Sequence, residues 1–189
     1  MRSLSPEQRA YLDHLRTFDP WNRQVMLGIA ATFGIPPSHL DIGCGTGAMV
    51  GVMRRLNVAS FGVDLLVPDD RINYLMQADV SQPLDMLRAF DMVTCIEVAE
   101  HIDEDRIGVF AENIARHVNQ PGLLILSAAG PGQGGESHKF LRPGYYWRTV
   151  FHDLGLTYRE DYTNRLRLVW TSIAMPMMWL AANVQVFDR

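Results

Sequence analysis

Two cysteines in 189 residues, one in a glycine turn and one in an apolar segment, supply neither a disulfide framework nor a metal-binding cysteine motif. The expected setting is therefore a reducing cytoplasm. A net charge of −4 excludes a general basic field of the kind that grips nucleic acid, so nucleic acid is not the expected partner. The first twenty residues carry charges throughout and hold no continuous apolar segment, so no secretory signal is expected. Leu168 to Ala182 is mostly apolar but spans fifteen residues and contains Pro176, too short for a membrane-spanning helix. Internal repeats and low-complexity tracts are absent as well. What remains is one globular domain long enough for a full hydrophobic core.

The chain is organised around Leu40-Asp41-Ile42-Gly43-Cys44-Gly45-Thr46-Gly47. This reads as the end of a buried strand, a turn of alternating glycines and a helix start. Met49, Val52, Met53 and Leu56 follow at i, i+3, i+4 and i+7, one apolar helical face. Glycines allow a sharp turn and a close backbone approach to a ligand. The free N–H groups of the helix start favour an anionic or polar ligand group. Gly43, Gly45 and Ala48 also satisfy the G-x-G-x-x-G/A pattern of dinucleotide binding, so the spacing alone leaves a nicotinamide cofactor open.

Before this turn, Ser5-Pro6-Glu7-Gln8 has the form of a capped helix start, continued by Tyr11, Leu12, Leu15 and Phe18 until Asp19-Pro20. A second helix is expected from Trp21, with Val25, Met26, Ile29, Ala30 and Phe33 on one side and Gly34 as its stop. Core packing is the favoured role of Tyr11, Phe18 and Trp21; a substrate pocket is the other.

After the turn, Ser60 to Leu65 reads as a second buried strand. It carries Asp64, 21 residues beyond Gly43, near the spacing of about 20 expected for a carboxylate that bonds ribose hydroxyls. Tyr74 to Val80 and Phe90 to Glu97 give the third and fourth strands, the latter running into Val98-Ala99-Glu100-His101. Ligands of α/β sheets lie outside the carboxyl ends of the strands, where Glu97, Glu100 and His101 belong. Asp103, Glu104 and Asp105 read as the solvated first turn of a helix whose face is Ile107, Phe110, Ile114 and Val118. Asn119 to Gly122 is expected to be a turn, and Leu123 to Ser127 a fifth strand. The glycine-rich loop Gly130 to His138 follows, then a helix opened by Pro143 with Trp147, Val150, Phe151 and Leu154 inside. Leu156 to Tyr162 suggests a sixth strand, Leu168 to Ala182 a helical or irregular segment, and Asn183 to Phe187 the last strand.

The eight-residue string from Leu40 to Gly47 resembles the first motif of class I S-adenosyl-methionine-dependent methyltransferases, and the resemblance extends over about residues 38 to 160. Ile96-Glu97-Val98-Ala99-Glu100-His101 is similar to a segment of the methyltransferases related to ubiquinone-biosynthesis O-methyltransferases and small-RNA 2′-O-methyltransferases. The resemblance implies a Rossmann-like, mostly parallel seven-stranded sheet with helices on both faces and an antiparallel last strand. It implies one methyltransferase domain over residues 1–189, with N-terminal helices (1–37) capping the cofactor and substrate mouth and an α/β core (38–189).

The same resemblance implies S-adenosyl-methionine as cofactor. Asp41 would hold its methionine end, Asp64 its ribose and Asp79 its adenine, with Gly43, Cys44, Gly45, Gly47, Leu65, Val80, Ile96 and Glu97 completing the site. In some relatives the two glutamates and the histidine hold a divalent ion, so Glu97, Glu100 and His101 are candidate Mg2+ ligands. His101 and His138 are the candidate catalytic bases, and His138 is equally open as a substrate contact or a further metal ligand. The implied reaction is O-methylation of a small-molecule or carrier-linked acceptor. A non-catalytic cofactor-binding module and an RNA methyltransferase are the alternatives, and oligomeric state is left open.

Overall fold

The computed structural model describes residues 4–68, 73–173 and 178–189. Pro176, used above to divide the apolar segment near the C-terminus, lies outside these residues.

Seven strands form one sheet in the order β3-β2-β1-β4-β5-β7-β6. They are β1 (Ser38–Ile42), β2 (Ala59–Asp64), β3 (Leu75–Gln77), β4 (Phe90–Ile96), β5 (Val118–Ser127), β6 (Thr157–Tyr158) and β7 (Gln185–Asp188). β1 pairs parallel with β2 and β4, β2 with β3, and β4 with β5. β7 is antiparallel to both β5 and β6, which makes it the one reversed strand. From β1 the chain first builds outward through β2 and β3, then returns to start β4 on the other side. That reversal opens a crevice at the carboxyl ends of β1 and β4.

Every residue of β1 is buried, as a strand covered on both faces requires. One face packs against α4 (Ile107–Arg116) and α5 (Gly144–Asp153), through Phe110, Ile114, Trp147 and Phe151. The other packs against α2 (Asp19–Phe33), α3 (Ala48–Arg55), α6 (Glu160–Ser172) and α7 (Met178–Asn183), through Met26, Ile29, Met53, Leu166 and Trp170. Met49, Val52 and Met53 are buried, as their spacing predicts, and Leu56 packs at the margin. No helix of the described residues is long and apolar enough to cross a membrane.

Four sequence expectations differ from the structure. The second helix starts at Asp19, with Pro20 in its first turn, where a missing N–H costs nothing. The sixth strand is only Thr157–Tyr158, because Glu160 and Asp161 open α6 with acids suited to a helix start. Asn119 to Gly122 lies within β5, whose pairing with β4 shifts register between Phe90 and Met92 to take up the extra residues. Glu100 stands on one short 3₁₀ turn, Ala99–His101, and Glu104 and Asp105 on another, Glu104–Arg106, that Asp103 precedes, both ahead of α4. Asp103, Glu104 and Asp105 are exposed, as expected of a solvated turn, but Glu100 is fully buried.

Candidate active site

A cavity of about 660 Å³ occupies the crevice between β1 and β4. Of the residues expected there, Gly43, Cys44, Gly45, Asp64, Leu65, Asp79, Val80, Ile96, Glu97, Glu100, His101 and His138 line it. Asp41 and Gly47 do not. Asp41 lies beneath the floor, and Gly47 caps α3 in a left-handed conformation facing Leu75.

The glycine turn is held from below. Gly43 N–H donates to the Val63 carbonyl at 2.8 Å, and Gly45 N–H donates to Asp64 Oδ2 at 2.8 Å. Asp64 Oδ1 accepts from Leu66 N–H at 3.0 Å, so the carboxylate braces two loops before any ligand arrives. Each oxygen retains a further lone pair for a vicinal diol. Burial raises the Asp64 pKa, and the backbone donors partly oppose that rise.

Under the turn lies a buried polar row that the sequence reading missed. His39 Nδ1 is 2.8 Å from Ser60 Oγ, and His39 Nε2 is 2.9 Å from Thr94 Oγ1. Thr94 Oγ1 donates to Asp41 Oδ1 at 2.6 Å. With Asp41 as terminal acceptor, Thr94 accepts from His39 Nε2–H, and His39 Nδ1 accepts from the Ser60 hydroxyl. Burial holds the His39 pKa down to about 3, which keeps the ring neutral. Burial pushes Asp41 up to about 7, opposed by the Thr94 bond and assisted by the Asp64 charge. The available signal was strand alternation, which puts His39 and Asp41 on one face of β1.

The second half of the site follows β4. Glu97 adopts a left-handed backbone (φ +53°), a strained conformation for a side-chain-bearing residue and one that clusters at functional sites. Its N–H donates to the Ser127 carbonyl at 2.9 Å, and its carboxylate accepts from the Ser127 hydroxyl and from Gln133 Nε2. Three residues on, Glu100 is buried with neither carboxylate oxygen bonded among the described residues. Burial first, then the Glu97 charge, pushes its pKa up to about 8.

The glycine-rich loop reaches this carboxylate through the backbone. Lys139 and Phe140 N–H both donate to the Glu100 carbonyl, at 2.7 and 3.0 Å, which positions His138. Each histidine uses Nδ1 on a backbone carbonyl, His101 on Ser137 at 3.2 Å and His138 on Gln133 at 3.3 Å. That leaves both Nε2 atoms as lone-pair donors, the tautomer a metal ligand needs. Burial lowers the His101 pKa, which favours the neutral ring. Ligand atoms of Glu100, His101 and His138 all lie within 4.8 Å of one another. Glu97, expected as a ligand from the sequence, falls outside this group of three because its oxygens face Ser127 and Gln133; His138 takes the third place.

The N-terminal helices also contribute. Tyr11 and Leu15 of α1 (Pro6–Arg16), Phe18 just before α2 and Asn22 of α2 line the cavity, as do Trp179 and Leu180 of α7. Tyr11 and Phe18, expected mainly in the core, are exposed cavity-wall residues instead, because α1 lies over the glycine turn rather than flat on the sheet. Trp21 is half-buried and packs against the core. The Ser5–Gln8 capping box is formed, and Thr46 Oγ1 donates to Asp19, which ties α2 to the glycine turn.

Comparison with known proteins gives a consistent set. A ubiquinone biosynthesis O-methyltransferase of Azorhizobium caulinodans is 30% identical over 100 residues, covering 47% of this chain and 38% of the relative. The match thus spans well under half of that relative's length. A second, from Albidiferax ferrireducens, is 26% identical over 181 residues, covering 76% of this chain and 71% of the relative. The crystal structure of Burkholderia thailandensis 1,6-didemethyltoxoflavin-N1-methyltransferase superposes with a TM-score of 0.65 at 16% identity, covering 100% of this chain and 92% of that one. The sequence profile described as a methyltransferase domain matches residues 7–165, which take in the glycine turn, Asp64 and the Glu100–His138 cluster, and on that ground the chain belongs to the class I methyltransferase-domain family.

Proposed function

We propose that this protein transfers the methyl group of S-adenosyl-methionine to an oxygen of a small-molecule or carrier-linked acceptor. The observation that carries the reading is that the cavity joins two unlike halves. One is a braced glycine turn with a carboxylate 19 residues on from Gly45, and the other is a buried, unpartnered glutamate between two histidines. The first suits a nucleoside with a cationic amino-acid tail, and the second suits an acceptor whose proton must leave. Ubiquinone-biosynthesis relatives are named as O-methyltransferases, in keeping with an oxygen acceptor.

In this reading Asp64 receives the ribose hydroxyls, Asp79 and Val80 border the adenine, and Asp41 faces the amino-acid end from beneath the turn. Cys44, Leu65, Ile96 and Glu97 line the remainder. The sulfonium needs no chemical activation, so the protein acts by positioning and by excluding water. The N-terminal helices serve as the cover, with Tyr11, Leu15 and Phe18 closing the mouth. With no cation in the cluster, His101 or His138 takes the acceptor proton through its free Nε2.

The donor set is mixed: a buried carboxylate with no hydrogen-bond partner, 4.0 Å from His138 Nε2, suits Mg2+, while two imidazoles suit a borderline divalent cation such as Zn2+ or Fe2+ better than a hard one. Glu100, His101 and His138 would hold a divalent cation, with Glu97 adding charge nearby, and the cation would supply a Lewis acid that lowers the acceptor's pKa.

Calorimetry tests the cofactor half. Asp64→Ala is expected to weaken S-adenosyl-homocysteine binding by about 1–2 kcal/mol, the loss of a charged hydrogen bond; unchanged affinity would remove Asp64 from the site. Thermal unfolding tests the metal half. Mg2+ or Zn2+, each tried in turn, is expected to raise the midpoint of the wild type and not of Glu100→Gln, whereas equal shifts with both ions would leave the cluster without a metal. Turnover with a panel of phenols and carrier-linked hydroxyl compounds separates an enzyme from a binding module.

A further inference from the structure

Next to the main cavity lies a second, of about 330 Å³, between the end of β5, the start of α5 and the start of β7. The Asn183 Nδ2 to Gln133 Oε1 hydrogen bond (2.8 Å) forms the partition, for Gln133 lines the first cavity and Asn183 the second. The second cavity is basic in a chain of net charge −4. Arg142, Arg148 and Arg167 line it. Against these three guanidiniums stands one carboxylate, Glu104, 2.7 Å from Arg142. Arg167 makes its bonds to backbone carbonyls of Ala181, Ala182 and Val184, and Arg148 stacks on Tyr158; neither has a carboxylate within 4.0 Å among the described residues.

Two further features aim donors into the same space. α5 begins here with no side-chain cap, so the N–H groups of Gly144 and Tyr145 have no intrahelical acceptor. Gln185 is 3% exposed, lines this cavity, and has a buried Oε1 with no hydrogen-bond partner. Its Nε2 lies 2.6 Å from where a Cβ on residue 144 would stand, so only glycine there lets the amide reach the helix start. A buried amide left unbonded is costly, and the cost falls when a ligand supplies both partners.

We propose that this cavity is a subsite for a phosphate monoester. Its oxygens accept from Arg148, Gln185 Nε2 and the uncapped N–H groups of α5, and the P–OH of the monoanion donates to Gln185 Oε1. Near neutral pH a phosphate monoester keeps a share of its monoanion and so a P–OH, whereas a carboxylate has no such donor, and chloride accepts from Nε2 but offers Oε1 nothing. The subsite lies one side-chain pair from the main cavity, so the phosphorylated molecule is assigned as the methyl acceptor. That assignment rests on the methyl-transfer reading; the anion subsite itself does not.

The test is titration of the intact protein with inorganic phosphate and with phenyl phosphate, at constant ionic strength in chloride, followed by calorimetry and by ³¹P line width. Saturable binding of both is expected, weakened about tenfold in Arg148→Gln, the loss of one charge-assisted hydrogen bond. Gly144→Ala, which displaces the Gln185 amide, should weaken it as well. S-adenosyl-homocysteine affinity in Arg148→Gln should match wild type, confirming that this variant is folded. Phosphate binding that is absent, or equal in Arg148→Gln and wild type, overturns the subsite. Phenyl phosphate binding no more tightly than inorganic phosphate overturns the acceptor assignment. A wild type that binds phosphate but no S-adenosyl-homocysteine would sink the methyl-transfer reading and leave the subsite standing.

Discussion

Gly43→Ala is expected to cut S-adenosyl-homocysteine affinity by about thirtyfold or more, on the scale of the 1–3 kcal/mol that a left-handed backbone costs a residue with a Cβ, with the steric contribution added. Gly43 has φ +79°, and a Cβ there would lie 2.2 Å from Val98 Cγ2. Relief requires either a shift of the turn, which breaks the Gly43 N–H bond to Val63, or a swing of Val98 into the cavity. Both outcomes spoil the surface a cofactor would rest on. Gly34→Ala is the control, for Gly34 has φ +85° with nothing within 4 Å of its Cβ position, far from the cavity. That variant should lose stability through backbone strain alone and keep its affinity. Equal affinities for the Gly43 variant and wild type would show that the cofactor does not rest on this turn.

Asp41→Asn should stabilise the unliganded protein at pH 8 while weakening it as a binder. Asp41 is buried, and its pKa is raised from 3.8 to about 7. A carboxyl group with that shift contributes stability that is complete below pH 3.8 and is lost as pH rises through about 7, since the folded state then ionises a group it would rather keep neutral. At pH 8 that loss is on the order of 2–4 kcal/mol, and the amide removes it while still accepting from Thr94. The variant's thermal midpoint should therefore exceed wild type at pH 8 and converge with it near pH 4. A cationic amino-acid tail above the floor is favoured by an ionised carboxylate beneath it, so S-adenosyl-homocysteine affinity should fall about tenfold through loss of that charge pairing. A variant that gains stability and keeps its affinity would mean that Asp41 serves only the fold.

His39, Ser60 and Thr94 explain why this carboxyl group could not be fully understood from the string Leu40 to Gly47. Asp41 is legible as an acid before a glycine turn, but the Thr94 that donates to it comes from β4, 53 residues away, and the Ser60 that orients His39 comes from β2, 21 residues from that histidine. The same limit applies to His138, a candidate base in the sequence whose place beside Glu100 is not visible there. It reaches Glu100 because the Lys139 and Phe140 amides bond the Glu100 carbonyl, a link across 39 and 40 residues that no local pattern records. Tyr11 and Phe18 show the opposite error. Their helical spacing was read as a core face, yet the face lies over a cavity, and periodicity cannot tell a ligand-facing wall from a packed one.

Residues 40–47 and 96–101 thus carried their own message, because a strand, a turn and a helix start are dictated by neighbours three or four positions apart. The succession of strands and helices specifies a mostly parallel sheet and glycine placement the turn, while the count of seven strands, the reversed last strand and the roles of the acids come from the family resemblance. Which acids meet which histidines, which carboxyl groups are stripped of water, and which amide is left unbonded beside α5 came from chain crossings between distant strands. Those crossings set burial and electrostatics, and burial and electrostatics set the charge each group carries.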